Sequence, residues 1–324
     1  MPDAGNWAFP TALQPRPAET GFDLEAALGA VVLLRAEIPD DAFTASILGT
    51  ERAGNGVVIR EDGLVLTIGY LVTEAETIWL TTNSGVVVQG HTLAYDQATG
   101  FGLVLPLGRL GVKPLARGSA HTVRPEDPVF VIGHGGLAHS LQARVVAKRE
   151  FAGYWEYVLD EALFTAPAHP QWGGAALLGA DGRLLGIGSL LVQESVGGKT
   201  VDGNMFVPVD LLAPILEDML ASGRVAQPAR PWLGLYATEM DGHLVVGGLA
   251  PGGPAERAGI QLGDLILEVA GERVAGLAAL FRRIWSLGPA GTEIPLTVTR
   301  RGGTNSARVR SADRGEFLKK PRLH

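Results

Sequence analysis

The sequence predicts a mainly β protein, in which a large domain of short strands is followed by a smaller α+β domain. Three observations carry this prediction. Between about residues 30 and 215 the chain is a succession of short apolar runs that end at Gly, Pro or Asp-Gly. A segment with helical spacing at residues 209 to 223 interrupts that rhythm. A short linker then leads into roughly 80 residues that mix strand and helix patterns.

The apolar runs of the first domain are rich in Val, Ile and Leu, which favour strands. Asp62-Gly63 and Asp181-Gly182 are dipeptides that favour tight turns. Many short strands bounded by such turns are typical of an antiparallel barrel or sandwich. We expect strands at Val31–Leu34, Gly56–Ile59, Leu64–Thr67, Thr77–Thr81, Phe101–Leu105, Val129–Ile132, Leu141–Val146, Tyr157–Leu159 and Leu184–Leu191.

Apolar residues at helical spacing close the first domain, and Gly223 stands at a favourable C-cap position. In the second domain we expect strands at Leu244–Gly247, Leu265–Val269 and Ile294–Thr299. Two helical pieces are expected near Pro254–Ala258 and Leu277–Leu287.

The two ends of the chain differ in composition from the domains. Residues 1 to 21 contain four prolines and predict a flexible arm, in which Trp7 or Phe9 tethers the arm or docks on a neighbouring subunit. Residues 314 to 324 predict a short basic tail. The expected boundaries are therefore 22–225 for the first domain, 226–230 for the linker and 231–313 for the second domain.

Composition excludes several classes of function. The formal net charge of −7 argues against a nucleic-acid-binding surface. The absence of cysteine excludes disulfides, thiolate catalysis and cysteine-ligated zinc. No run of about 18 apolar residues and no signal-type start is visible, so we expect no membrane span and a cytoplasmic location.

Several motifs follow one another in an order that resembles HtrA/Deg-type serine proteases. Residues 54 to 72 read Gly-Asn-Gly-Val-Val-Ile-Arg-Glu-Asp-Gly-Leu-Val-Leu-Thr-Ile-Gly-Tyr-Leu-Val, similar to the block of that family around its catalytic histidine. Further similar segments lie at 95–103, 127–133, 181–187 and 205–209. The resemblance covers about residues 25 to 313. It implies a two-barrel trypsin-like domain followed by a PDZ domain.

Matched position by position, the family's catalytic residues are replaced in this chain. The base position holds Tyr70, the carboxylate position Gly100 and the nucleophile position Trp172. Pro170 stands where the family has the oxyanion-hole glycine, and proline has no N–H to donate. Asp96 matches a structural turn residue of the motif. The resemblance therefore predicts a pseudoprotease with no catalytic residues, no metal and no cofactor.

Other readings of this region remain open. Tyr70 and Trp172 are either packing residues or the wall of an aromatic-lined cleft for an apolar ligand, bounded by Ile187 and Leu190. A displaced catalytic or metal site would draw on the histidines and serine of the nearby loops. We expect the acidic residues around 156 to 161 to point into solvent. These candidate residues are His134, His139, Ser140 and His169 in the loops, and Glu156, Asp160 and Glu161 among the acids.

The second domain resembles the family's PDZ domain through Gly-Gly-Pro-Ala-Glu-Arg-Ala-Gly-Ile-Gln-Leu-Gly-Asp-Leu-Ile at 252–266. Such a domain binds the C-terminal carboxylate of a peptide with backbone N–H groups, and the peptide adds a strand to the sheet. An alternative is that the chain's own domain or tail covers the groove. The peptide-binding residues implied by the resemblance are Trp232, Leu233, Gly234, Leu235, Leu280, Phe281 and Ile284.

The predicted function is that of a non-catalytic scaffold or adaptor that binds protein or peptide C-termini through the PDZ groove. Two alternatives stay open: an active serine endopeptidase that uses displaced residues such as Ser140 or Ser189, and a chaperone-like holdase. The resemblance also implies a homotrimer assembled through N-terminal segments.

Overall fold

The computed structural model describes residues 7 to 320, which form two compact units. The first unit contains the chain up to Arg149, the segment Glu161–Val225 and Lys320. The second unit contains Ala226–Lys319 together with an insertion from the first half of the chain, Glu150–Asp160. Strands dominate both units, so the mainly β prediction is confirmed.

The first barrel of the first unit is closed by six antiparallel strands in the order β1-β2-β3-β6-β5-β4. Two short helices, α1 (Leu24–Gly29) and α2 (Ala45–Leu48), flank β1 in the sequence. The strands are β1 (Val31–Glu37), β2 (Glu51–Val58), β3 (Val65–Ile68), β4 (Thr77–Thr81), β5 (Val87–Tyr95) and β6 (Phe101–Pro106).

The second barrel repeats this architecture in the order β10-β11-β12-β9-β8-β7. Its interior is filled by buried aliphatic residues and Phe206, the expected core of a small barrel. The strands are β7 (Pro128–Ile132), β8 (Ser140–Gly153), β9 (Tyr157–Ala166), β10 (Ala176–Leu178), β11 (Leu184–Val196) and β12 (Lys199–Pro208).

The segment 7 to 21, which the sequence predicts as a flexible arm, lies along the second barrel. The N–H of Phe9 donates to the carbonyl of Ala138 at 2.9 Å, and the carbonyl of Leu13 accepts from the N–H of Gln142 at 2.7 Å. Phe9 also packs against the core of this barrel. Trp7 and Phe9 therefore contact their own chain, as the tether reading expects.

The helical segment after β12 is a 3-10 turn, Val209–Leu212, followed by α3 (Leu216–Ser222). Gly223 ends α3 in the left-handed conformation, with φ 72°, and its N–H donates to the carbonyl of Met219. The predicted C-cap is therefore confirmed.

The second unit is built on a sheet with the order β13-β14-β15-β17-β18, in which β13 is an edge strand. Helix α5 (Leu277–Ser286) buries Leu280, Phe281 and Ile284 in the core of this unit. The other elements are β13 (Leu235–Met240), β14 (His243–Leu249), α4 (Pro254–Arg257), β15 (Leu265–Val269), β16 (Glu272–Arg273), β17 (Glu293–Arg300) and β18 (Gly303–Arg310).

Two further features complete the second unit. Residues 314 to 316 form a 3-10 turn, and Phe317 packs edge-on against Trp232, so the start of the expected basic tail lies on this unit. The tip of the β8–β9 hairpin, residues 150 to 160, belongs to this unit as well. None of the helices between residues 7 and 320 has the length and apolar character that crossing a membrane requires.

Candidate functional site

The structure brings together the three positions that the resemblance matches to a catalytic triad. Tyr70 lies in the 3-10 turn Gly69–Leu71, directly after β3. Gly100 lies before β6, which pairs with β3, and its carbonyl accepts a hydrogen bond of 2.7 Å from the N–H of Gly69. Trp172 lies in the connection between β9 and β10, and its side chain contacts Tyr70.

The hydroxyl of Tyr70 is held by the second barrel. It donates to the carbonyl of Ser189 at 2.9 Å, and the side chain of Trp172 lies beside it. Burial raises the pKa of Tyr70 well above its ordinary value, against the smaller opposing effect of Trp172. The phenol is therefore neutral at physiological pH and cannot act as a general base.

The loop around Trp172 is held through its carbonyl groups. The side-chain amide of Asn55 donates to the carbonyl of Gln171 at 2.8 Å, and the backbone N–H of Asn55 donates to Gly173 at 2.7 Å. The carbonyl of Trp172 accepts from the N–H of Ala175. Pro170 contributes no backbone donor, so an oxyanion beside Trp172 would lack a hydrogen bond from position 170.

Asp96 is a turn residue in this structure. Its carboxylate accepts from the N–H and the hydroxyl of Thr99, at 2.8 and 2.7 Å. Gly100 follows with φ 81°, a conformation that residues with a Cβ adopt only at a cost. Position 100 therefore closes a turn, and Asp96 holds that turn in shape.

A cleft with a volume of about 840 Å³ lies beside Trp172 in the first unit. Ile187, which we expect as part of its wall, does not line this cleft; it is fully buried and pairs with Ala176 of β10 and Val207 of β12. The neighbouring Leu191, rather than Leu190, reaches the cleft. Its apolar lining includes Pro170, Trp172, Leu191, Val196 and Val201.

Two of the loop residues named for a displaced site, His169 and Ser140, are buried and bonded to the backbone. The ring of His169 is fully buried, with Nδ1 accepting from the N–H of Gln171 at 3.0 Å and Nε2 donating to the carbonyl of His139 at 2.9 Å. Burial lowers the pKa of His169 to about 4. Ser140 is fully buried and donates to the carbonyl of Gly136. Within residues 7 to 320 no group of three potential ligands could hold a metal ion.

The loop before β13 in the second unit binds a carboxylate, and that carboxylate belongs to Glu156. The N–H groups of Leu233, Gly234 and Leu235 donate to its Oε1 at 3.1, 2.7 and 3.1 Å. The N–H of Leu233 also donates to Oε2 of Glu156 at 3.1 Å. Three consecutive backbone donors therefore converge on one oxygen, the arrangement that captures a peptide's terminal carboxylate.

The expectation that Glu156 points into solvent is wrong, because its side chain enters this loop and the residue is only 5% exposed. Desolvation raises the pKa of Glu156 to about 7, although the three N–H groups and the charge of Arg314 act in the opposite direction. Asp160 and Glu161 are exposed, as expected. The sequence does carry one signal for this site: the aromatic residues Tyr154 and Trp155 beside Glu156 are unusual in an exposed turn.

Trp232 has a different role from the one expected. Its backbone pairs with Ala312 in both directions at 3.0 Å, and its ring packs on Phe317. The carboxylate donors are therefore residues 233 to 235, while Trp232 anchors the start of the loop.

The apolar half of the groove is filled. The expected pocket residues are all fully buried, and Val158 of the hairpin tip belongs to the same buried cluster. Arg282 of α5 pairs with Glu150 and Asp160 on the two sides of the tip. The groove is thus covered by residues 150 to 160. The pocket residues concerned are Leu233, Leu235, Leu280, Phe281 and Ile284.

Comparisons with known proteins agree with this architecture. A model for the trypsin-like peptidase domain matches residues 54–187, and a model for the PDZ domain matches residues 245–300. A probable periplasmic serine endoprotease DegP-like of Halomonas elongata is 26% identical over 273 residues, which cover 80% of this chain and 56% of that protein. The serine endoprotease DegS of Haemophilus influenzae is 24% identical over 228 residues, covering 68% of this chain and 66% of that protein.

The chain spans about half to two thirds of the length of these two curated relatives. A solved structure of the HtrA-type protease AlgW with a decapeptide superposes with a TM-score of 0.54 at 19% identity, covering 93% of this chain and 100% of that one. The serine endoprotease from Yersinia pestis superposes with a TM-score of 0.52 at 20% identity, covering 91% and 99%. At these identities the structures support the fold.

Proposed function

Because this chain belongs to the HtrA/Deg-type family of trypsin-like serine proteases with a PDZ domain, we propose that it is a non-catalytic member of that family. In this proposal it acts as a scaffold that binds the free C-termini of peptides or proteins through its PDZ groove. The trypsin-like domain keeps its two barrels and carries no triad.

One observation carries the binding half of the proposal. The N–H groups of Leu233, Gly234 and Leu235 converge on a single carboxylate oxygen. Hydrogen bonds from backbone N–H groups to an ionised carboxylate are stronger than those between neutral groups. The edge strand β13 begins at Leu235, so a peptide whose carboxylate enters the loop can add a strand beside it.

Sequence and geometry support the non-catalytic half. Tyr70, Gly100 and Trp172 supply neither a base near neutral pH, nor a carboxylate, nor an aliphatic hydroxyl. The curated relatives are named as serine endoproteases. The proposal therefore separates this chain from the activity in their names, on the grounds of these residues.

Binding is tested with a pool of fluorescein-labelled decapeptides whose last four positions are randomised. The immobilised full chain receives the pool with free C-termini or as C-terminal amides. We expect at least tenfold greater retention of the free acids, enriched in apolar last residues, as read by fluorescence and mass spectrometry. Equal retention of acids and amides by both the natural chain and its Glu156→Gly variant contradicts the proposal, because the loop recognises the carboxylate.

A further inference from the structure

The turn that carries Glu156 has a backbone conformation that a glutamate adopts only at a cost. β8 ends at Gly153 and β9 begins at Tyr157, so three residues connect them, and Glu156 has φ 60°. Three-residue hairpin loops commonly place Gly at this left-handed position. In this left-handed conformation a residue with a Cβ is less stable than glycine by about 1 kcal/mol. The local backbone thus favours Gly, and the contacts of the Glu156 carboxylate offset that loss.

A glutamate side chain ends in the same chemical group as a peptide chain. Both are carboxyl groups with two oxygens that accept hydrogen bonds, and both fit the N–H groups of residues 233 to 235. Two carboxylates cannot share these donors, because their charges repel at contact distance. Val158, two residues after Glu156, lies in the buried cluster with Leu280 and Ile284. The tip therefore supplies both a carboxylate and an apolar side chain, the two parts of a C-terminal ligand.

We propose that the hairpin tip 150–160 is an internal competitor of the peptide, with Glu156 in the place of the peptide's terminal carboxylate. The proposal rests on the proposed function of the groove and adds its regulation. A peptide binds only to molecules whose tip has left the groove. Its apparent affinity is the intrinsic affinity reduced by the fraction of open molecules.

The remaining contacts of the tip are compatible with release. Arg282 pairs with Glu150 and Asp160 at the surface, where its side chain is 44% exposed and that of Asp160 is 92% exposed. Exposed ion pairs of this kind contribute between about 0 and 1 kcal/mol. The ring of Tyr154 meets Tyr236 edge-on with a centroid distance of 6.1 Å. The buried contacts that close the groove are made by the carboxylate of Glu156 and by the side chains of Val158 and Ala152.

The test measures peptide affinity in two variants of the full chain. Glu156→Gln keeps the shape of the side chain and removes its charge, and Glu156→Gly removes the side chain while relieving the turn. The probe is the free-acid decapeptide pool described above, titrated by fluorescence anisotropy. We expect Glu156→Gly to bind it at least tenfold more tightly than the natural chain, whereas Glu156→Gln, which resembles the neutral acid, serves to test the pH dependence.

Two matched control variants test whether the loss of any exposed acidic residue raises peptide affinity. Asp241→Gly removes an acidic, exposed residue with φ 49° from the β13–β14 turn of the same unit. Glu161→Gln removes an exposed carboxylate from β9. Both should bind the pool as the natural chain does. A tenfold gain in either control overturns the inference, because loss of negative charge would then suffice.

Hydrogen exchange of residues 233 to 235 provides a second measurement that does not depend on the peptide. The natural chain should protect these amides, Glu156→Gly should expose them, and added free-acid pool should restore protection. If the natural chain and all variants have equal peptide affinity and equal amide protection at residues 233 to 235, the tip is not a competitor of the peptide. The proposed function would then remain intact. If neither the natural chain nor the Glu156 variants retain free acids over amides, the proposed function fails, and the inference that rests on it fails too.

Discussion

The hydroxyl of Tyr70 donates a hydrogen bond of 2.9 Å to the backbone carbonyl of Ser189. This bond joins the turn after β3 to β11 of the second barrel. The next residue back on β11, Gly188, approaches the carbonyl of Trp172 so closely that a Cβ there would lie 2.0 Å from its oxygen. Tyr70 and the backbone of Trp172 therefore contact two consecutive residues of β11, Ser189 and Gly188.

Restoring a serine should not restore proteolysis. We expect Trp172→Ser, and the double variant Trp172→Ser/Tyr70→His, to leave labelled casein uncut and to react with no fluorophosphonate probe. A serine needs a base, an oriented imidazole and donors for its oxyanion, whereas Gly100 and Pro170 provide neither a carboxylate nor a backbone N–H. Trypsin in the same assay is the positive control. Labelling of either variant at residue 172 would falsify the account.

A displaced nucleophile is tested in the natural chain. We expect no fluorophosphonate labelling, since Ser140 is fully buried and Ser189 is 4% exposed. Mass spectrometry of the intact protein after incubation measures any adduct. An adduct that disappears on Ser140→Ala or Ser189→Ala shows an active endopeptidase and contradicts the non-catalytic proposal.

Peptide affinity should rise with pH. The pKa of Glu156 is raised to about 7 in the closed groove from an ordinary value of 4.5, so closure takes up a proton between those values. Closure is therefore strongest below pH 4.5 and weakens as the pH rises towards 7. Arg314 is the charged group that lowers this pKa, and Tyr236 of β13, whose own pKa is raised, stays neutral.

The measurement is an anisotropy titration of the free-acid pool at pH 5.0 and 7.5. The carboxylate of the free peptide is ionised throughout, with a pKa of about 3.5. We expect the affinity of the natural chain to gain about tenfold or more between these pH values relative to that of Glu156→Gln, which experiences the same change in the peptide. The same pH dependence in Glu156→Gln would assign it to another group.

Arg52 should be important for the stability of the first unit. Its buried guanidinium donates to the carbonyls of Tyr70 and Thr73 at 2.7 and 3.0 Å and to the hydroxyl of Thr44, which in turn donates to Glu74. Removing one partner of a buried charged network costs about 3 to 5 kcal/mol. We expect Arg52→Ala to lower the free energy of unfolding by about 3 kcal/mol in urea titrations. Arg60→Ala, which breaks an exposed pair with Asp62, should cost below about 1 kcal/mol.

His169 should make the protein sensitive to acid. Its pKa is lowered from 6.5 to about 4 by burial, so the unfolded chain binds a proton between these values while the folded chain does not. Stability is therefore full above pH 6.5 and falls as the pH decreases to about 4. We expect the melting temperature of His169→Gln to be lower at pH 7 and to fall less between pH 7 and 5 than that of the natural chain. Parallel melting curves for the two proteins would contradict this assignment.

Most strands could be predicted because apolar runs and turn dipeptides mark them, as Thr77–Thr81 and Leu265–Val269 show. Two of the strands missed have weak local signals. β10 has three residues, and β12 begins with the polar, exposed Lys199 and Thr200 before its buried half. Pairing with β11 along most of its length, rather than propensity, holds β12 in the sheet.

The candidate site could be predicted only where neighbouring residues define it. The spacing of Leu280, Phe281 and Ile284 places them on one face of α5, and the structure buries all three. Glu156 lies 77 residues before Leu233, and a single sequence does not show which distant segment meets that loop. The positive φ of Glu156, which points to a role for its side chain, is visible only in the folded backbone.

Because the second unit is assembled from two separate stretches of chain, it is not a transferable module. A fragment cut at the linker would lose Val158 from its core and leave three amides without their acceptor. The matched PDZ region, residues 245–300, excludes both the hairpin tip and the loop it occupies. Grafted or truncated versions of this unit therefore need to include residues 150 to 160. Without them, an assay would measure a groove that lacks its covering hairpin tip.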